Sequence, residues 1–154
     1  MQPFSITLFA TSGDPEGIRH LDKSNWSGYG VVFNKELFHL LKQEPGFSQA
    51  SIYILVGNAA EETIYIGEAD PVGDRLKNHV SNKEGWVWGV YFFDRNHKIG
   101  KTEVQYLESA LVALAKIWGP VHSSIRPPSI LLRYRTTPSS TPQRSFPSVH
   151  CPNN

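Results

Sequence analysis

Between residues 50 and 118 the hydrophobic period passes from strand-like to helical, back to strand-like and again to helical. That order restricts the fold more than any other feature of the chain. Ile52, Ile54 and Val56 alternate with Tyr53 and Leu55, a strand pattern. Gly57-Asn58 and the polar run to Glu62 predict a turn, and Thr63-Ile64-Tyr65-Ile66-Gly67 the next strand. The pair reads as a hairpin with a longer loop. Asp70 as N-cap and Pro71 at the first helical position predict a helix running to about Asn82. Trp86 to Phe93, aromatic and β-branched, predicts a third strand. Asn96 to Gly100 reads as a loop. Thr102-x-x-Gln105 reads as a capping box, starting a helix that Gly119-Pro120 ends near Trp118.

The flanks differ from this body. Residues 1–47 suggest a small β-rich lead-in of unknown role, with strands at Phe4–Phe9, Ile18–Leu21 and Val31–Phe33 and a helix over 35–42 capped by Asn34. Residues 119–154 hold seven of the eleven prolines and no Asp or Glu. Apart from Ile130-Leu131-Leu132, that zone has little apolar periodicity. It is expected to be disordered or loosely attached, or else an altered C-terminus.

Bulk properties narrow the function classes. The net charge of +1 excludes a protein that coats nucleic acid through overall basicity, so any such contact must rest on a local site. Cys151, the one cysteine, rules out an internal disulfide and a cysteine-only metal cluster and fits a reducing cytoplasm. Met1 to Ala10 lacks the basic start and long apolar run of a signal peptide. Nothing approaches the roughly 20 apolar residues that span a bilayer. A soluble cytoplasmic protein without membrane contact is expected.

Several side chains could carry chemistry. Arg75 and His79 share a helix face at a spacing of four, although a surface arginine and a surface histidine would look the same. Lys77 and Asp74 read as solvated charges. On the last helix, Val104, Leu107, Leu111, Leu114, Ala115 and Trp118 form an apolar stripe, and Glu108 sits within it. A carboxylate on a packing face is costly unless paired or bound to a cation. A salt bridge or a side chain reaching the edge of the stripe would satisfy it equally well. Tyr53 and Tyr65 fall on one side of the hairpin, either as core residues with one hydrogen bond each or as a pair with a task.

Taken in order, these residues resemble the GIY-YIG nuclease family. Ser51-Ile52-Tyr53 and Tyr65-Ile66-Gly67 match its paired signature, and Arg75, His79 and Glu108 follow in family order. Residues 1–47 are similar to a lead-in that precedes this domain in a bacterial subgroup, around Asp14-Pro15 and Lys23-Ser24-Asn25-Trp26. The resemblance implies an α+β fold: a small three-stranded antiparallel sheet flanked by helices. It also implies metal-dependent hydrolysis of phosphodiester bonds in nucleic acid, DNA foremost, with one Mg²⁺ or Mn²⁺. Glu108 would hold the ion, and Arg75 the scissile phosphate, with Lys77 also assigned to substrate binding. Tyr53 would help activate water as a base if nearby cations lower its pKa, and Tyr65 and His79 would position the water or relay its proton. The chain departs from the family at Ser51, in place of a glycine, and at Glu68, where several members carry a lysine that would lower the tyrosine pKa. A catalytically weak nucleic-acid-binding module of the same fold is the alternative.

Overall fold

The computed structural model describes residues 3–57, 63–82, 85–118 and 130–133. Ten elements follow in chain order: β1 (Ile6–Ala10), β2 (Arg19–Lys23), β3 (Gly28–Asn34), a 3-10 segment (Lys35–Gln43), β4 (Ser51–Gly57), β5 (Thr63–Ala69), α1 (Val72–Ser81), β6 (Trp86–Asp94), α2 (Lys101–Trp118) and β7 (Ile130–Arg133). The α+β class holds. The small three-stranded sheet does not, because the seven strands form one antiparallel sheet in the order β1-β2-β3-β6-β4-β5-β7.

The join lies at β6. One of its edges pairs with β4 (Tyr53 opposite Tyr91, Ile54 opposite Val90) and the other with β3 (Val31 opposite Tyr91, Phe33 opposite Gly89). β6 is apolar on successive residues because both its edges are paired and, beyond the exposed Val87 and Trp88, both its faces are covered, the signature of a central strand. Val31, Val32 and Phe33 are buried in succession for the same reason. The expected β-rich lead-in is therefore not a separate appendage, since its strands continue the sheet. At the opposite edge Ile130–Arg133, in the zone expected to be loose, pairs with β5. The rest of 119–154 lies outside the described residues.

Local signals erred where a tertiary partner outcompeted a side chain. Asp70 does not cap α1. The helix begins at Val72 with Pro71 as N-cap and no side-chain cap bond. Its first amides instead reach back to the preceding loop, Val72 N–H to the Gln49 carbonyl (3.1 Å) and Gly73 N–H to that of Phe47 (3.0 Å). Gly73 permits that approach, because a Cβ there would lie inside the Phe47 ring. Asn34 likewise caps nothing. Its amide donates to the Glu16 carbonyl (2.9 Å), and the segment after it is a 3-10 helix. The capping box is displaced as well: Glu103 Oε2 accepts from Gly100 N–H (2.9 Å), and the helix starts at Lys101, two residues earlier than Thr102 as cap implies.

Helices cover both faces. On one, α1 and the 3-10 segment pack Leu76, Val72 and Leu41 against Phe33, Leu55 and Trp86. On the other, α2 sets Val112, Leu111 and Ala115 on Ile52, Ile66 and Ile64. The α2 face keeps most of the predicted stripe but is turned from it: Val104, Glu108, Leu111 and Ala115 face the sheet and Val112 joins them, whereas Leu107 and Leu114 are 37% and 53% exposed. Among the described residues no helix is long and apolar enough to cross a membrane.

The rotation is testable. Leu76→Ala, in a fully buried position, should cost about 2–5 kcal/mol. Leu114→Ala should change stability by no more than ~0.5 kcal/mol in urea titrations, and a multi-kcal loss there would restore the predicted stripe.

Candidate active site

In the β4–β5 pairing, Tyr53 lies opposite Gly67 and Leu55 opposite Tyr65. A strand alternates its faces every residue, so Tyr53 and Tyr65 leave the sheet on the same side, two residues offset. Their rings stack at 5.9 Å between centroids with planes 21° apart. Gly67 makes room for this. A Cβ at Gly67 would stand 2.5 Å from Tyr53 Oη and 2.6 Å from Cζ, so the ring lies directly over a bare backbone. The second glycine of the paired signature is thus a steric requirement of the first tyrosine.

α1 crosses above these rings and presents Arg75 and His79. Arg75 Nε donates to Tyr53 Oη (3.3 Å) and Arg75 Nη2 to Tyr65 Oη (3.2 Å). Tyr53 Oη and His79 Nε2 are hydrogen-bonded at 2.9 Å. The His79 ring also meets the edge of Tyr65 at 4.8 Å and lies 5.5 Å from Tyr53. Tyr53 and His79 are buried, at 1% and 3% exposure. Four of the residues singled out in the sequence therefore form one hydrogen-bonded cluster, and the surface reading of Arg75 and His79 is overturned.

The electrostatics of that cluster run against the expected base. Burial raises the Tyr53 pKa above its ordinary value, the Tyr65 hydroxyl adds to the rise, and Arg75 only partly opposes it. Tyr53 is a phenol. Since Arg75 donates to its oxygen, its own hydrogen is available to His79 Nε2. The hydrogen bond to Tyr53, and secondarily that to Tyr65, raises the Arg75 pKa against its own burial, so its charge is permanent.

A polar cavity of about 330 Å³ opens beside the cluster, lined among others by Tyr53, Glu68, Asp70, Arg75, Asn78 and Lys101. Lys77 is exposed and does not line it. Two positions after Arg75, it points around the helix from the Arg75–His79 face. Lys101, the first residue of α2, is the lysine that lines the cavity, and Asn78 is its amide. Local spacing within α1 could have suggested Asn78. Nothing in the sequence placed Lys101 there.

Glu108 is half-buried on the sheet-facing side of α2, one turn before Val112. Its pKa is raised, first by burial and then by the charge of Glu68, with Arg75 pulling it back. Glu68 Oε2 is buried and has no hydrogen-bond partner among the described residues. Among the described residues no group of three or more His, Cys, Asp or Glu forms a metal cage. The ion implied by the resemblance needs less. Carboxylate oxygens with water completing the shell suit Mg²⁺ or Mn²⁺, and a buried, unpartnered carboxylate oxygen beside Glu108 is chemically suited to such a cation.

No protein-family model, curated protein or solved structure matches this chain.

Two outcomes are expected. Gly67→Ala should displace the Tyr53 ring, costing about 1–3 kcal/mol in denaturant unfolding and shifting the His79 ring resonances in NMR spectra. Unchanged resonances would show that the ring does not need the bare backbone. Glu108→Gln should raise the metal-free Tm at neutral pH. A carboxyl whose pKa is raised on folding is destabilising once ionised. The penalty is full above the folded pKa and vanishes below the unfolded value of about 4.3. The Tm advantage of Glu108→Gln should therefore disappear as pH falls through the carboxylate range, and a constant advantage would contradict the shift.

Proposed function

We propose that the chain is a divalent-metal-dependent nuclease of the GIY-YIG kind, hydrolysing phosphodiester bonds of nucleic acid, DNA foremost. The observation that carries this reading is the convergence of Tyr53, Tyr65, Arg75 and His79 from two strands and a helix onto one set of hydrogen bonds beside a polar cavity. Core packing alone does not require a fixed cation held by two tyrosine hydroxyls over a buried histidine.

The residues divide the work as follows. Arg75, permanently charged and at the cavity wall, holds the phosphate oxygens and stabilises the charge that builds on them in the transition state. Lys101 adds a second cation to the same wall in place of Lys77. Tyr53 and His79 act as one base: a water hydrogen-bonded to Tyr53 Oη gives it a proton as the Tyr53 proton passes to His79 Nε2. The high proton affinity of a buried phenol is then no obstacle, since His79 is the final acceptor. Tyr65 keeps Arg75 in place. Glu108 would hold the divalent ion, which when bound would supply electrostatic stabilisation of the leaving oxygen. The single cysteine, Cys151, suits a reducing cytoplasm as the compartment.

A binding module of the same fold, without chemistry, is the second reading. The raised pKa of Tyr53 favours it, because a tyrosine that resists ionisation is a poor base by itself.

Supercoiled plasmid, single-stranded DNA and RNA incubated with Mg²⁺ or Mn²⁺, and then with chelator, separate the two. Metal-dependent cleavage is expected, with Arg75→Ala and Glu108→Ala each lowering kcat by about 100-fold or more. Tyr53→Phe should lower it comparably, because it breaks the relay. Cleavage that persists in chelator, or that survives Arg75→Ala, would sink the nuclease. Folded protein that binds but never cuts would establish the binding module.

A further inference from the structure

The alternation that turns Tyr65 and Gly67 toward α1 turns Ile64, Ile66 and Glu68 toward α2. Ile64 and Ile66 pack there with Val112 and Ala115. Glu68 follows Ile66 by two residues along β5, and Glu108 precedes Val112 by one turn along α2. The same packing that seats the helix on the sheet thus puts Glu68 and Glu108 at one end of the β5–α2 contact, where the charge of Glu68 is felt at Glu108. The cost shows in the geometry: among the described residues Glu68 Oε2 is buried without a hydrogen-bond partner, although Glu68 also reaches the cavity wall beside Tyr53 and Arg75. Arg75 does not neutralise the pair by direct contact, as its hydrogen bonds go to the two tyrosine hydroxyls.

Two half-buried carboxylates, of which Glu68 carries the orphaned oxygen and lines the polar cavity, make a hard-cation site. Isolated like charges in such a place are unfavourable unless a counter-ion joins them. Mg²⁺ and Mn²⁺ are held by one or two carboxylates with water filling the remaining positions.

We propose that Glu68 is a second carboxylate ligand to the divalent cation at Glu108, so that the site binds its ion before nucleic acid arrives. This inference rests on the metal-dependent reading above and extends it to a residue that the resemblance leaves without a role. A family lysine at this position would bring a positive charge to the metal. Glu68 brings a ligand, and the protein then depends less on substrate phosphate to complete the coordination shell.

The test is Mn²⁺ binding to the full chain without nucleic acid, followed by electron paramagnetic resonance of free Mn²⁺ and by the Mn²⁺-induced change in Tm. Wild type should bind one ion and gain Tm. Glu68→Gln, which keeps the shape and removes the charge, should bind at least ~10-fold more weakly, and Glu108→Gln should abolish the saturable signal. Water-proton relaxation of bound Mn²⁺ should report one more exchangeable water in Glu68→Gln than in wild type. Circular dichroism and metal-free Tm of each variant verify that it folds. Equal affinity and water count in wild type and Glu68→Gln would overturn the proposal, as would a wild type that binds no Mn²⁺ at millimolar concentration. Cleavage measured in parallel keeps the two readings apart. Activity with unchanged Mn²⁺ affinity in Glu68→Gln removes only the second ligand. Binding that depends on Glu68 in a protein that never cuts removes only the nuclease.

Discussion

Tyr53 Oη is the point on which the site depends. It meets Arg75 Nε, His79 Nε2 and the empty space above Gly67 at once. Each contact comes from a different part of the chain: Gly67 from the neighbouring strand, Arg75 and His79 from successive turns of α1. A buried hydroxyl must find partners or lose roughly the free energy of a hydrogen bond. The requirement therefore works in both directions. The site needs α1 seated on the sheet, and α1 seated there gives the hydroxyl its partners.

The seating of α1 has its own cause. Its first amides take carbonyls from residues 47 and 49 in the chain just before β4, and Gly73 lets Phe47 close over the helix start. Tyr91 Oη donates to the Pro45 carbonyl (2.9 Å), tying the same stretch to the central strand. The helix carrying the cation is thus anchored at both ends of its environment, by a loop it shares with β4 and by Leu76 buried against the sheet. The N-terminal strands contribute indirectly. By covering the second edge of β6, β3 makes β6 a central strand, and a central strand is the stiffest platform from which β4 can present a tyrosine.

The charges are arranged on two levels. On the α1 side one permanent cation is held by two phenols. On the α2 side the charge of Glu68, near the end of β5, is felt at Glu108. The sheet edge separates them, yet Arg75 and Glu108 still sense each other. The polar cavity is lined by Arg75 and Lys101 together with Glu68, Asp70 and Asp74, so charges of both signs meet on its wall. Burial determines how each group behaves. It raises Tyr53 more than Arg75 can lower it, which is why the proposed mechanism gives the role of base to the phenol and histidine together.

The sequence alone determined the type and order of every element from β4 to α2, because strand and helix periods are local properties of the chain. It also supplied Tyr53, Tyr65, Arg75 and His79 at spacings that geometry converts into a cluster: same-face positions on a hairpin, and a four-residue step on a helix. Tertiary structure decided what local rules cannot reach. Pairing of β3 with β6 depends on an edge some sixty residues away in the chain, so an apparent lead-in became part of the sheet. The backbone carbonyls before β4 displaced Asp70 as a cap, and the docking of α2 buried Val112 in place of Leu107 and Leu114. Lys101 reached the cavity, and Lys77 did not, for the same reason. Which charged side chain meets a site is settled by how two elements dock, and docking is a property of complementary surfaces that no single stretch of sequence contains.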